Sequence, residues 1–251
     1  MKVAIYTLGC KVNQYETQAM ERALRARGHE TVPFDQDADA YVVNTCSVTA
    51  ASDQKSRQAV HRIRRERPGA VVAVCGCYSQ THGEEARALG ADVLGGSGDR
   101  MGFLDLLERA VRDRGEPLEI LDAPFERRQF ERLPAGGLEG RTRALLKVED
   151  GCANFCSYCI IPYARGPVRS LPLAAAVEEV RRLRGEGYRE IVLTGIEISS
   201  WGQEIRDGTG LTDLVEAVCR TAEGMRVRLG SLEPRTVTEE FCRRAVKIYV
   251  Q

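Results

Sequence analysis

Nine cysteines in a chain of 251 residues are its most reactive side chains, and six of them fall into two sets of three. Cys152, Cys156 and Cys159 share one loop, "GCANFCSYC", spaced four and then three apart. A compact turn at that spacing presents three thiolates to one inorganic centre. Structural zinc takes four protein ligands, and neither the loop nor its near flanks holds a fourth cysteine or a histidine. Three thiolates instead hold three irons of a four-iron cluster and leave one iron open. An open coordination position is what separates catalytic from structural metal sites. The three histidines, His29, His61 and His82, make no metal-ligand spacing with these thiols.

Cys10, Cys46 and Cys77 are far apart in sequence, yet each follows an apolar run: "VAIYTLGC", "YVVNTC" and "VVAVCGC". Each therefore lies at or just past the C-terminal end of a predicted strand. In a parallel sheet those ends face the same side, where ligands gather. Gly9 and Gly76 precede two of the three and let the backbone approach a bulky ligand. The competing reading is ordinary buried cysteine, and strand order, which decides between the two, is not in the sequence. Cys75 sits inside its apolar run and reads as core; Cys219 and Cys242 read as filler on apolar helix faces.

The elements that must position these thiols alternate. Short apolar runs at 2–8, 40–45, 71–75 and 91–94 read as buried strands, each followed by an amphipathic stretch. That order predicts an α/β domain over 1–122 with a mostly parallel sheet. Asn13 and Glu16 have the spacing of a capping box and predict a helix opening there. Further helices are predicted through "SDQKSRQAVHRIRRER", which ends before Pro68, and "GFLDLLERAVRD". Residues 123–140 mix proline, glycine and charge without a period and read as a linker. From 141 to 251 the alternation restarts: strand "TRALLKVE", the cysteine loop, helix "LAAAVEEVRRLRGEG", strand "EIVLTGIEI", helix "LTDLVEAVCRTAEG", strand "RVRLGSL" and a last helix from about Thr238. This βα order suits a barrel-like parallel sheet, but three strands fall short of closing one.

Thirty-six basic and thirty-six acidic side chains cancel, so no global positive field announces a nucleic-acid partner. Binding of that kind must rest on local patches; "HRIRRERP" and "ERRQFER" are basic, although such runs are usually solvated helix faces. The opening "MKVAIYTLGC" is too short an apolar run for a signal peptide or a membrane span. An odd number of cysteines without a secretion signal argues for metal or catalytic thiols in a reducing compartment, and the expectation is a cytoplasmic protein.

Beyond these readings, the cysteine spacing with Tyr158 before the third thiol resembles the signature of the radical S-adenosylmethionine superfamily. The fuller stretch "GCANFCSYCIIPYARGPVRS" resembles the methylthiotransferase family. "TLGCKVNQYET", from Thr7 to Thr17, is similar to members that act on threonylcarbamoyladenosine in tRNA. Members acting on isopentenyladenosine or on ribosomal protein S12 tend to carry other residues after the glycine-cysteine pair. The resemblance implies a flavodoxin-like or Rossmann-like N-terminal domain followed by a truncated radical-enzyme partial (β/α) barrel. It assigns Cys152, Cys156 and Cys159 to the [4Fe-4S] cluster that cleaves S-adenosylmethionine to a 5′-deoxyadenosyl radical. Cys10, Cys46 and Cys77 match the ligands of a second [4Fe-4S] cluster, which carries or donates sulfur.

Cofactor contacts follow by the same comparison: Tyr158, Gly195 through its backbone, Glu197 as acceptor for the amino group, and Ser231 and Glu233 toward the ribose or methionine end. Arg165 and Arg169 are expected to meet the cofactor carboxylate or RNA phosphate. Implied partners are a tRNA substrate, a reducing electron donor such as flavodoxin and a sulfur source, with no membrane. Full-length family members continue into the rest of the barrel and a small β-barrel RNA-binding domain of the TRAM type, so a shortened chain is expected here. Rival readings are activity on isopentenyladenosine tRNA or ribosomal protein S12, and a non-catalytic iron-sulfur or zinc protein on the same scaffold.

Overall fold

The computed structural model describes residues 1–134, 136 and 142–249. Residues 135 and 137–140 of the expected linker lie outside the described residues. The chain divides into two compact units: Met1–Arg127 together with Phe155–Gly166, and Arg128–Asn154 together with Pro167–Gln251. The first unit thus recruits a segment from the middle of the cysteine loop.

In the first unit the elements run β1 (Lys2–Thr7), α1 (Lys11–Ala26), β2 (Glu30–Val32), β3 (Ala40–Thr45), α2 (Ala50–Glu66), β4 (Val71–Gly76), α3 (Cys77–Thr81), α4 (Gly83–Ala88), β5 (Val93–Gly95), α5 (Arg100–Asp113), β6 (Leu118–Ile120) and, from the recruited segment, α6 (Ile161–Arg165). All six strands pair in parallel in the order β2-β1-β3-β4-β5-β6. Successive strand residues serve opposite faces. Val3, Val42, Ala73 and Cys75 join Met20, Leu24, Phe103, Leu104 and Leu107 in one core. Ala4, Tyr41, Val43, Val72 and Val74 join Val60, Ile63 and Tyr78 in the other. A sheet covered on both faces explains why the central strands read as unbroken apolar runs rather than alternating ones.

Two short edge elements, β2 and β6, escaped the sequence reading because three residues give no measurable period. The expected helix start also moves. Cys10, not Asn13, is the N-cap of α1, and Asn13 lies inside the helix. Its side-chain amide donates to Leu8 O and Thr45 O, both at 2.8 Å, so the polar pair taken for a capping box serves tertiary structure instead.

The second unit contains β7 (Arg143–Lys147), β8 (Glu149–Asp150), β9 (Arg169–Ser170), α7 (Leu173–Gly185), β10 (Glu190–Thr194), α8 (Leu211–Thr221), β11 (Arg226–Leu229) and α9 (Glu239–Tyr249). Three parallel strands form the sheet β11-β10-β7, and β8 pairs antiparallel with β9. Trp201, 1% exposed, donates its indole N–H to Leu171 O at 3.0 Å and anchors the stretch after β10. Cys219 is half-buried on α8, in keeping with filler. Cys242, expected in the core, is exposed on α9. Among the described residues no helix is long and apolar enough to cross a membrane.

Glu16, Arg100 and Arg165 are all fully buried in the first unit. Arg100 Nη2 bonds Glu16 Oε2 at 2.6 Å and its Nη1 donates to Gly96 O at 2.6 Å. From the other side Arg165 bonds Glu16 Oε1 through Nη1, and Asn13 Oδ1 at 2.9 Å through Nη2. One carboxylate therefore bridges α1, α5 and the end of α6. Removing a single member of a buried ion network strands the others in low dielectric, which costs about 3–5 kcal/mol. Glu16→Ala is expected to lose stability of that order in chemical denaturation. Glu66→Ala, which removes an exposed partner of Arg62 and Arg65, leaves the midpoint in place.

Candidate functional site

The three strands that end in the first set of thiols are neighbours. β1 pairs with β3 and β3 with β4, all in parallel, so Cys10, Cys46 and Cys77 follow three adjacent strands on one edge of the sheet. Strand order reverses between β1 and β3, because β1 turns back to β2 while the chain continues outward through β3 and β4. A sheet splays open at such a switch point, and the crevice outside the strand ends there is where open α/β sheets bind ligands.

The backbone at this edge is shaped by glycine. A Cβ on Gly9 would stand 2.8 Å from Cys46 Cβ and 2.9 Å from its sulfur, so the β1–α1 turn packs against the β3 thiol. Gly76 has φ +110°, and a Cβ there would stand 2.4 Å from Thr45 O. Asn44 and Asn13 lock the two turns: Asn44 Nδ2 donates to Asn13 O at 3.0 Å and to Thr17 Oγ1 at 3.1 Å. The Cys10 thiol faces Asn13 Oδ1 at 3.7 Å. Burial pushes the Cys77 thiol above its ordinary pKa, opposed by the positive charge and hydrogen bond of Arg165 and reinforced by Glu16 and Cys10. Cys75, wholly buried in the core, is pushed up to about 11, also by burial, as fits an inert packing thiol.

In the second set, Cys156 is exposed and Cys159 half-buried within the first unit, where Cys159 N–H donates to Cys156 O at 2.9 Å in a tight turn. Tyr158 between them is 89% exposed. Cys152 is buried in the second unit, just past β8. Among the described residues no group of three or more Cys, His, Asp or Glu side chains stands ready to hold a metal ion.

The two arginines turn inward. Arg165 is committed to Glu16 and Asn13. Arg169, 4% exposed, donates to Pro167 O at 2.7 Å and pairs with Asp150 Oδ2 at 3.4 Å. Both guanidiniums are thus held by groups of the chain itself, where carboxylate or phosphate of a ligand was expected.

Glu149, which the sequence reading passed over, lies at the end of the β7–β8 run of the second unit, beside the C-terminal end of β10. It is fully buried; Oε2 accepts the Glu197 N–H at 2.7 Å, while Oε1 has no hydrogen-bond partner among the described residues. A Cβ on Gly195 would stand 2.6 Å from Oε2, so only glycine lets the strand end approach this carboxyl. Glu197 caps the following turn, accepting from Ser199 N–H at 3.1 Å and from the Ser200 hydroxyl. Ser231 is exposed after β11. The Glu233 N–H donates to Ser199 Oγ at 3.2 Å and its carboxylate lies 3.7 Å from Arg235. The available signal for Glu149 was a pair of consecutive acids at a strand end directly before the cysteine loop.

Burial, then the charge of Asp150 and that of Glu197, hold the Glu149 carboxyl well above the usual range; the Glu197 N–H and Lys147 pull the other way. A carboxyl raised in the folded state binds more protons than its unfolded counterpart, so stability falls as pH rises from about 4.3 toward the raised value. Glu149→Gln removes that dependence. Its melting temperature should match or trail that of the parent at the acid end and gain on it steadily as pH increases through neutrality; parallel curves would show that Glu149 ionises normally.

Two family models match the chain: one described as uncharacterized protein family UPF0004 over residues 2–95, the other as the radical SAM superfamily over residues 146–249. The chain is 40% identical over 239 residues to the threonylcarbamoyladenosine tRNA methylthiotransferase MtaB of Bacillus subtilis, covering 95% of this chain and 53% of that protein. It is 35% identical to the protein of the same name from Aquifex aeolicus, covering 96% and 58%. The chain therefore spans little more than half the length of these relatives. Among solved structures, TsrM of Kitasatospora setae, a radical S-adenosylmethionine methyltransferase determined with tryptophan and a cofactor analogue, superposes with a TM-score of 0.61 at 17% identity, covering 98% of this chain and 57% of that one. That likeness concerns the fold. With both family models in tandem on one chain and relatives of this identity along nearly all of it, the chain is similar to radical S-adenosylmethionine methylthiotransferases over almost its whole length.

Proposed function

We propose that this chain carries the catalytic portion of a tRNA methylthiotransferase that converts N6-threonylcarbamoyladenosine beside the anticodon to its 2-methylthio derivative. The observation that carries the reading is the adjacency of β1, β3 and β4, which brings three cysteines to one strand-end edge at a switch point. Curated relatives bearing that activity in their names, at 40% and 35% identity, support it.

Three thiols without a fourth nearby ligand fit an iron-sulfur centre by donor type; Gly9 and Gly76, expected to make room for a bulky ligand, instead let the thiol-bearing turns pack against Cys46 and Thr45. Cys10, Cys46 and Cys77 would hold one [4Fe-4S] cluster; Cys152, Cys156 and Cys159 would hold the other. When bound, the clusters and S-adenosylmethionine supply one-electron bond cleavage together with the sulfur and methyl groups. The polypeptide binds, orients and excludes water. Glu149, Gly195 and Glu197 offer a buried carboxyl, open backbone and a half-buried carboxylate at the end of β10, suited to the polar end of the cofactor. Tyr158 offers an exposed ring beside two of the cluster thiols, while Ser231 and Glu233 offer a hydroxyl and a carboxylate after β11. Arg165 works from within: tied to Glu16, it sets a fixed positive charge beside Cys77, which favours the thiolate a cluster requires. An external electron donor of the flavodoxin kind and a sulfur source complete the proposed reaction.

Anaerobically reconstituted protein, given S-adenosylmethionine, a chemical reductant and tRNA bearing the threonylcarbamoyl group, should yield 5′-deoxyadenosine and a methylthiolated nucleoside by mass spectrometry. Methylthiolation of ribosomal protein S12 with tRNA untouched would overturn the substrate, and zinc in place of iron with no cleavage would overturn the enzyme. Cys156→Ala is expected to reduce 5′-deoxyadenosine formation to background. Cys10→Ala should retain that cleavage and lose sulfur insertion; equal loss of both reactions would contradict the division between the two sets.

A further inference from the structure

Next to Cys156 the first unit displays a group of rings that neither core contains. Phe125, Phe155 and Tyr163 are 45%, 52% and 54% exposed. The Phe125 and Phe155 rings are parallel to within 9° with centroids 6.2 Å apart, and Tyr163 stands edge-on to them at 5.9 and 6.0 Å. Three large rings gathered in this way keep faces in water that a buried position would cover.

The group is also braced. Phe155 has φ +45°, a left-handed conformation that bulky residues rarely take, and such strain persists where the surroundings over-determine it, typically at ligand clamps. Gly166 has φ +79°, and a Cβ there would stand 2.0 Å from Pro124 O, so the segments bearing Phe125 and Tyr163 meet backbone to backbone. Ser97 Oγ donates to Ala164 O at 2.5 Å and receives Arg127 Nη1 at 2.8 Å, pinning the same two segments to the loop after β5. The rings are therefore held in advance of any ligand.

We infer that Phe125, Phe155 and Tyr163 form a stacking platform for an unpaired base of an RNA loop, holding the substrate strand beside Cys156; this rests on the tRNA reading above. Unstacked bases of single-stranded loops are recognised by stacking on aromatic faces, and every base offers such a face. Charge does not oppose it: residues 151–177 contain no aspartate or glutamate, and the two arginines of that stretch, Arg165 and Arg169, are buried against carboxylates of the chain itself. Stacking on the rings adds affinity that salt screens little, unlike phosphate contacts, which act through counterion release. Phe155 is bonded directly to Cys156, so its Cα lies roughly 3.8 Å from that of a proposed cluster ligand.

The test uses the 251-residue protein, an RNA hairpin with 2-aminopurine at successive loop positions, and the variants Phe155→Leu, Tyr163→Leu and Phe125→Leu, which keep apolar bulk and remove the ring. The parent should quench the fluorophore at one or two loop positions. Each variant should lose that quenching and bind the hairpin about tenfold more weakly, with an unchanged denaturation midpoint, an unchanged salt slope and rescue by Phe155→Trp. Hairpin binding by the parent that the variants match in affinity and quenching would overturn the platform and leave the tRNA reading standing. Failure of the parent to bind hairpin or tRNA would overturn both. Weaker S-adenosylmethionine binding with hairpin affinity intact would give the rings to the cofactor, and loss of a self-associated form would make them a contact between copies; either result would overturn the inference.

Discussion

A buried carboxylate cannot stay charged without partners, and Glu16 answers that constraint by joining three parts of the first unit. Its position on α1 is fixed by Arg100 from α5 and by Arg165 from a segment that lies far along the chain. Because α1 begins at Cys10, whatever fixes Glu16 also fixes the first thiol turn. Asn13, one helical turn before Glu16, extends the grip to Leu8 and Thr45 and so to the strand ends that carry Cys10 and Cys46. Arg165 then reaches Cys77 electrostatically. The charge network and the thiol edge are one construction: a buried polar network beneath the three turns that carry Cys10, Cys46 and Cys77.

The second unit reaches a comparable end by other means. There the β10 strand end presents backbone and a buried carboxyl together, made possible by the missing side chain of Gly195. Neighbouring charges are already satisfied, Lys147 by Asp150 at 3.1 Å and Arg169 by the same carboxylate. Glu149 Oε1 stays without a hydrogen-bond partner among the described residues, and a buried polar atom of that kind calls for an explanation such as water, an ion or a functional role. In each unit, glycine lets two segments close on one another and a buried carboxyl gives the place polarity.

Much of this was legible in the sequence, and the limits follow from physics. Unbroken apolar runs ending at Cys10, Cys46 and Cys77 predicted parallel strands, because a strand covered on both faces has no polar side to show. Strand order was out of reach, since pairing depends on contacts between distant residues; the adjacency of β1, β3 and β4 is what turns three separate cysteines into one edge. Asn13 and Glu16 were noticed for their spacing and given a local role, whereas their partners lie up to 152 residues away. Arg165 and Arg169 were expected to face ligands because the family resemblance suggested a cofactor carboxylate or RNA phosphate as their partner. Nothing local in "ARGPVRS" reveals that Glu16 and Asp150 wait inside. Cys242 carried the converse error, an apolar-looking thiol on a face that stays exposed.

The central claim is that each set of three cysteines holds its own iron-sulfur cluster. Iron and acid-labile sulfide per chain after anaerobic reconstitution test it most directly, in the parent and in two triple variants that replace either Cys10, Cys46 and Cys77 or Cys152, Cys156 and Cys159 by alanine. The account predicts about eight irons in the parent and about four in each variant. About four in the parent, retained in full by one of the variants, would contradict it.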